Sequence, residues 1–140
     1  PQNFTFKNSF HIKPLSGSRL AENLRKHHVY LTASVNEPGG NHQIEGGSCG
    51  LPIIFRNSGC LPEYCDGFGI AIDENDFSNT INDMLNRYHE FQPLMVNFPY
   101  TFKNAFFNWA KLLKSLDQKR DELLSKRRHS FFMKLLNKLI

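Results

Sequence analysis

The chain has little cysteine, and its cysteines show no paired arrangement. Only Cys49, Cys60 and Cys65 occur among the 140 residues, and they form neither a Cys-x-x-Cys pair nor a group with histidine at metal-ligand spacing. The neighbours His27 and His28 point apart on a helix or a strand, so they do not make a metal site. The sequence therefore predicts no metal, no disulfide framework and a reducing, cytoplasmic location.

Long apolar runs are missing as well. No apolar stretch is long enough to span a bilayer. Hydrophobic residues make up 40% and charged residues 21% of the chain, which is typical of a globular domain with a hydrophobic core. There is no signal-peptide pattern at Pro1, and we expect the chain to be part of a longer protein.

Positive charge is concentrated at one end of the chain. Residues 111–140 hold nine Lys and Arg against three Asp and Glu, whereas residues 1–110 hold eight against ten. The basic character therefore belongs to the C-terminal part, and we predict no nucleic-acid partner.

Short strand-like runs alternate with helical patterns in residues 1–100. Such alternation predicts an α/β domain with a Rossmann-like parallel sheet flanked by helices, in which ligands bind at the carboxyl ends of the strands. The predicted elements are a strand over Phe10 to Ile12, a helix capped by Ser16 or Ser18 and ending at His27–His28, a strand over Val29 to Thr32, a short helix from Gly40 or Asn41 to Gly47 or Gly50, a strand over Leu51 to Phe55, a helical turn over Leu61 to Cys65, a strand over Phe68 to Ile72 and a helix over Asp76 to Tyr88.

The pattern changes near Thr101. From there apolar residues recur at helical spacing with charged residues between them, which predicts a C-terminal tail of one long helix or two consecutive amphipathic helices over residues 101–140.

Two acids and two glycines stand together after the strand over Val29 to Thr32. Glu37 and Glu45 are eight residues apart, and Gly39 and Gly40 lie between them at the predicted start of a helix. Glycine allows a ligand close to the backbone, helix N-termini hold phosphate oxygens, and carboxylates accept hydrogen bonds from sugar hydroxyls. On the spacing alone, the favoured interpretation is that Glu37 is a solvated loop acid and Glu45 a surface or capping residue of the helix.

The order of these residues adds a resemblance. The run from His27 to Tyr64 resembles the C-terminal, nucleotide-sugar-binding domain of retaining GT-B glycosyltransferases of the group 1 type, which carry an E-x7-E motif. The similarity covers residues 29–72 most fully. The matching positions are Ser34, Glu37, Gly39–Gly40, Glu45, Gly50-Leu51-Pro52, the strand Ile53 to Phe55, and Gly59-Cys60-Leu61-Pro62-Glu63.

The resemblance implies a function and a set of site residues. It implies transfer of a sugar, with retention, from a UDP- or GDP-sugar to an acceptor, without a metal or other cofactor, and a structural role for Glu63. The implied site comprises Glu37 as the catalytic residue at the donor sugar, Gly39, Gly40, Asn41 and His42 at the sugar and diphosphate, Glu45 at the ribose, and Lys13, Pro14 and Leu15 at the base.

The sequence also departs from the family pattern. The family often has an aromatic residue where Gly39 stands, and Asn41 and His42 are additional polar groups. The family's basic residues for the leaving diphosphate lie on an earlier βα unit that has no match here, so we expect this chain alone to be inactive. The alternatives are a nucleotide-sugar epimerase of the same fold and a non-catalytic remnant that binds a nucleotide-sugar or a partner.

Two interpretations of the tail remain open. In one, its Phe and Leu residues pack on the chain's own domain or on a missing one. In the other, the basic residues and the apolar steps after Lys126 form a helix that lies on an anionic membrane, which would suit a lipid-linked or glycan acceptor and a peripheral position on the inner face of the membrane.

Overall fold

The computed structural model describes residues 7–127. Within them the chain divides between Thr101 and Phe102 into two compact units. We call residues 7–101 the α/β unit and residues 102–127 the helical unit, and describe each by itself.

The α/β unit contains a parallel sheet of three short strands in the order β1-β2-β3. The predicted α/β class and the parallel pairing of the strand at Tyr30 with that at Ile53 are confirmed. The elements are α1 (Gly17–Leu24), β1 (Tyr30–Thr32), α2 (His42–Ser48), β2 (Ile53–Phe55), α3 (Leu61–Cys65), β3 (Gly69–Ala71), α4 (Phe77–Asn86), α5 (Tyr88–Leu94) and a 3₁₀ turn over Met95–Asn97.

The central strand β2 is buried on both faces, which explains its continuous apolar sequence. Side chains alternate across a strand, so Ile53 and Phe55 join a cluster on one face and Ile54 joins a cluster on the other. The first cluster contains Leu61, Cys65, Met95 and Phe98 from α3 and the region of the 3₁₀ turn. The second contains Met84 from α4 and Phe91 from α5. Helices therefore cover both faces of β2.

Helix α2 packs very closely on the first cluster. Gly46 and Gly47 are buried in its last turn. A Cβ at Gly46 would lie 2.5 Å from the Tyr30 ring, and one at Gly47 would overlap the Phe98 ring. The two glycines let the helix backbone approach these rings, and this contact fixes the helix beside β1.

Three details differ from the sequence prediction. The strand predicted over Phe10 to Ile12 is wrong, since this segment is irregular and the Phe10 ring is 91% exposed. A strand needs a hydrogen-bonded neighbour and a buried face, and this run has neither property within residues 7–127. Helix α1 ends at Leu24 rather than at His27–His28, and α5 was not predicted because Pro93 lies inside it.

The helical unit contains α6 (Phe102–Gln118) and α7 (Arg120–Lys126), separated by a non-helical backbone at Lys119. Neither helix has a buried residue. The amphipathic run predicted around Phe131–Phe132 and Leu135–Leu136 lies outside the described residues. In the described part of the chain, every helix is too short or too polar to cross a membrane.

Candidate functional site

The loops that follow β1 and β2 lie at the carboxyl ends of neighbouring parallel strands, where ligands bind in sheets of this kind. The loop after β1 carries Glu37, Gly39, Gly40 and Asn41 and leads into α2. This position follows from the topology alone and puts the predicted acids at the expected edge of the sheet.

Hydrogen bonds join the two loops. The Asn36 backbone N–H donates to the Ser58 hydroxyl at 2.8 Å, and the Cys60 N–H donates to the Glu37 carbonyl at 2.8 Å. Asn36 and Gly59 both have positive φ angles, of 53° and 59°. A Cβ at Gly59 would overlap the backbone N and O of Glu37, so the loops meet backbone to backbone and the main chain at Glu37 is held in place.

The side chains of Glu37 and His42 face each other across Gly40. The distance from His42 Nε2 to Glu37 Oε2 is 3.7 Å, and the exposed fractions of the two side chains are 32% and 23%. A Cβ at Gly40 would lie 2.9 Å from both Glu37 Cδ and His42 Cδ2. The His42 ring also stacks on Tyr30, with ring centroids 6.2 Å apart. We call Tyr30, Glu37, Gly40 and His42 the Glu37 cluster.

Two neighbouring side chains on α2 carry polar atoms without partners. His42 Nε2 and both amide atoms of Gln43 are buried and accept or donate no hydrogen bond within residues 7–127. Gln43 is fully buried. A buried polar group without a partner costs free energy. The sequence did not single out Gln43, because one amide beside the apolar Ile44 gives no periodic signal.

Glu45 lies in the first turn of α2, and its side chain is exposed. Burial raises the pKa of the Tyr30 hydroxyl, and the negative charge of Glu45 raises it further. Glu45 therefore acts electrostatically on a ring of the Glu37 cluster. Asn41 is at the N-cap position of α2 without a side-chain capping bond, and a Cβ at Gly39 would meet open space.

The residues assigned to the base lie elsewhere in the α/β unit. Lys13 and Pro14 are exposed and Leu15 is half-buried, in the irregular segment before α1. They do not follow a strand, so the prediction that they stand at a strand end is wrong. Among residues 7–127, hydrogen bonds and ion pairs do not connect them to Glu37, His42 or Glu45.

Arg56 is a cation at this edge that the sequence prediction missed. It follows β2 directly, its backbone N–H donates to the Thr32 carbonyl at 3.1 Å, and its guanidinium pairs with Glu74 at 2.8 Å. Glu74 follows β3, so the pair joins the loops at the carboxyl ends of β2 and β3. A single Arg after an apolar run is too common to stand out in a sequence.

Metal ligands do not gather in this part of the molecule: residues 7–127 contain no group of three His, Cys, Asp or Glu side chains that could hold a metal ion. The polar groups of the Glu37 cluster are one carboxylate, one imidazole and one phenol.

Comparison with known proteins returned no match to a family model, to a curated protein or to a solved structure.

Proposed function

We propose that the Glu37 cluster binds the sugar of a nucleotide-sugar donor and that the protein belongs to a retaining glycosyltransferase with a GT-B fold. In this proposal Glu37 acts at the donor sugar, and Glu45 accepts hydrogen bonds from the ribose. Gly39, Gly40, Asn41 and His42 lie along the sugar and diphosphate. These roles follow the family resemblance of residues 29–72.

The observation that carries the proposal is the placement of Glu37. Its backbone is fixed by Gly59 and Cys60 at the carboxyl edge of the sheet, while its carboxylate remains partly exposed beside an imidazole nitrogen without a hydrogen-bond partner. A solvated surface acid needs no such support. A partly exposed carboxylate on a fixed backbone is suited to accept hydrogen bonds from two neighbouring hydroxyl groups.

Gly39 gives a second, independent support. The protein itself leaves the space at its Cβ position empty, and its φ angle is not positive. Neither packing nor backbone strain within residues 7–127 therefore requires glycine there. Close approach of a ligand to the backbone is a remaining physical reason for this residue.

The chemistry is a transfer in which the bond between the sugar and the diphosphate breaks and a bond from the same sugar carbon to the acceptor oxygen forms. The proton of the acceptor hydroxyl leaves with the diphosphate or with a base. Electrostatic stabilisation of the departing diphosphate dominates such reactions. Arg56, which follows β2 at the same edge of the sheet, and His42, when protonated, are described cations that could contribute to this stabilisation.

Binding tests the proposal without requiring turnover. We expect UDP or GDP, and more strongly one of their sugars, to raise the unfolding temperature of the chain and to give a calorimetric binding signal. Glu45→Gln removes a charge-assisted hydrogen bond worth about 1.5–3 kcal/mol, so it should weaken binding of the nucleoside diphosphate at least about tenfold.

The variant Glu37→Gln distinguishes binding of the sugar from binding of the nucleotide. This variant should bind the nucleoside diphosphate normally and lose the additional affinity for the nucleotide-sugar. Glu22→Gln, at an exposed acid on α1, is the matched control and should bind both ligands like the unmodified chain. Equal binding of all ligands by the Glu37, Glu45 and Glu22 variants would disprove the assignment.

A further inference from the structure

We propose that α6 lays its apolar face on an anionic lipid surface. The apolar face consists of Phe102, Phe106, Trp109, Leu113 and Leu116. This proposal is independent of the proposed function, since it uses only residues of the helical unit.

The apolar face is continuous and exposed. Its residues follow each other at alternating steps of four and three along the 17-residue helix, so they form one stripe. Phe102 is 86% exposed, Trp109 is 63% exposed, and the Phe102 and Phe106 rings stack with centroids 6.4 Å apart. A stripe of this length with three aromatic rings is a large exposed apolar patch, which marks an interaction site.

Positive charge flanks the apolar face along one side. Helix α6 carries three lysines and a single acid, Asp117. With about 100° per residue, Lys103 and Lys114 lie roughly 100–120° from the centre of the stripe. From there their long side chains can reach anionic headgroups while the rings enter the headgroup boundary.

The net charges of the two units also favour contact between the helical unit and an anionic lipid surface. Residues 102–127 hold seven Lys and Arg against three Asp and Glu, whereas residues 7–101 hold seven against ten. An anionic surface attracts the helical unit and repels the α/β unit. The electrostatic preference therefore selects α6 and α7 as the part that faces the lipid.

A helix in a protein gains most of its stability from packing of its apolar face rather than from the intrinsic propensity of its residues. Lipid gives α6 both an apolar phase for its rings and a negative surface for its lysines. A purely apolar protein partner would satisfy only the first property, and a solvated helix would satisfy neither. The combination of aromatic residues and lysines on one short helix thus points to a lipid interface.

Trp109 is the only tryptophan in the chain, and it lies on the apolar face. Its fluorescence therefore reports directly on α6. We expect the emission to shift to shorter wavelength when vesicles of phosphatidylcholine with about one-third phosphatidylserine are added to the full chain, and lipids brominated near the headgroup to quench it. Neutral phosphatidylcholine vesicles should produce a smaller shift, and added salt should reduce binding to the anionic ones.

Two adjacent phenylalanines provide a matched pair of variants. Phe106 is 60% and Phe107 57% exposed, but Phe107 lies about 140° from the centre of the stripe. In co-sedimentation, Phe106→Ser should weaken vesicle binding about tenfold or more, because it removes a ring that enters the interface. Phe107→Ser should change binding by less than about twofold.

The lysines are tested separately. Lys103→Gln combined with Lys114→Gln should weaken binding to anionic vesicles about 25-fold, at about fivefold for each residue, and leave binding to neutral vesicles unchanged. Circular dichroism of each variant checks whether the helix content is retained.

Several outcomes would overturn the proposal. Equal effects of Phe106→Ser and Phe107→Ser would show that the stripe does not contact lipid. Equal affinity for both vesicle types would show that anionic headgroups do not contribute to binding. The Trp109 emission could instead shift without vesicles as the protein concentration rises, together with a dimer in analytical ultracentrifugation. That result would show that the apolar face binds a second copy of the chain. Blue-shifted emission without vesicles and independent of concentration would assign it to packing within the chain.

Discussion

The two units of the molecule use the same residue types in opposite ways. In the α/β unit, Phe55 is 2% exposed and belongs to the same buried cluster as residues of α3 and the 3₁₀ turn, whereas Phe106 in α6 is 60% exposed. Both residues belong to regular apolar patterns. The difference is that β2 has helices on both faces, and α6 has no buried residue. An apolar pattern thus identifies a face that needs covering, but it does not identify what covers it.

The same comparison holds for charge. The α/β unit spreads its acids and bases over loops and helix ends, with pairs such as Arg56–Glu74 joining loops distant in sequence. In the helical unit, the Lys126–Glu122 pair is local, four residues apart on one helix. The α/β unit has local pairs as well, of Arg87 with Asp83 and with Glu90. Among the described pairs, the one that joins distant segments, Arg56–Glu74, therefore lies in the α/β unit.

The largest effect should come from removing matched phenylalanine rings. Phe55→Ala should destabilise the α/β unit by about 3–5 kcal/mol, because it leaves a cavity beside β2. Phe106→Ala should change stability by less than about 0.5 kcal/mol, because the ring is exposed. Two probes separate the units in urea: the reactivity of Cys65 reports on the α/β unit, and Trp109 fluorescence reports on the helical unit.

Cys65 is suited to this measurement. Its side chain is fully buried, and burial raises the pKa of the thiol to about 12, with smaller contributions from Asp66 and Cys60. Since the thiolate is the reactive form, alkylation near neutral pH requires unfolding of this region. The comparison between the units would fail if Phe106→Ala exposed Cys65 as readily as Phe55→Ala does.

Much of the α/β unit was predictable because its elements carry strong local signals. The β-formers from Val29 to Thr32 and the apolar run ending at Phe55 predicted β1 and β2 within about two residues. The helix predicted over Asp76 to Tyr88 corresponds to α4, and the structure adds that Asp76 caps it by accepting from the Asn79 N–H. The strand over Phe10 to Ile12 failed, because three residues with some apolar character carry no information about a pairing neighbour. Helix α5 was missed because Pro93 is a strong local signal against a helix, but α5 tolerates it close to its end.

The candidate site was predictable in part. Sequence order placed Glu37 and Glu45 at the carboxyl edge of the sheet and on α2. The contact of Gly59 with the Glu37 backbone and the burial of Gln43 depend on how two loops and a helix pack, which no spacing in the sequence encodes. The role of each residue toward a ligand stays a prediction.

Gly59 and Gly17 form a second matched pair. Both have positive φ angles, of 59° and 57°, but a Cβ at Gly59 would overlap the Glu37 backbone, whereas a Cβ at Gly17 would meet nothing. Gly17→Ala should cost about 1 kcal/mol for the backbone conformation alone. Gly59→Ala should cost about 1–3 kcal/mol more, because it also separates the two loops.

Urea titration of both variants measures this difference. Gly59→Ala should also reduce binding of the nucleotide-sugar, since it displaces Glu37, and Gly17→Ala should not. Equal destabilisation by the two substitutions would mean that the loops after β1 and β2 are not held together as described.

A smaller effect distinguishes the two glycines of the loop after β1. Gly40→Ala places a methyl group against the flexible ends of Glu37 and His42, so it should cost about 1 kcal/mol or less. Gly39→Ala meets open space and should leave stability unchanged. In nuclear magnetic resonance spectra, Gly40→Ala should shift the His42 ring signals and Gly39→Ala should not. Matching His42 spectra for both variants would contradict the described cluster.

The smallest effect concerns the two kinds of ion pair. A double-mutant cycle on Arg56→Ala and Glu74→Ala should give a coupling free energy of about 0.5 kcal/mol, because both side chains are partly exposed, at 35% and 62%. The cycle on Lys126→Ala and Glu122→Ala should give about 0.3–0.5 kcal/mol, visible in helix content rather than in the unfolding of the α/β unit. Both couplings should fall when salt is raised, since the pairs lie in solvent. A coupling for Arg56 and Glu74 well above about 1 kcal/mol, insensitive to salt, would show instead that this pair holds the loops after β2 and β3 rigidly together.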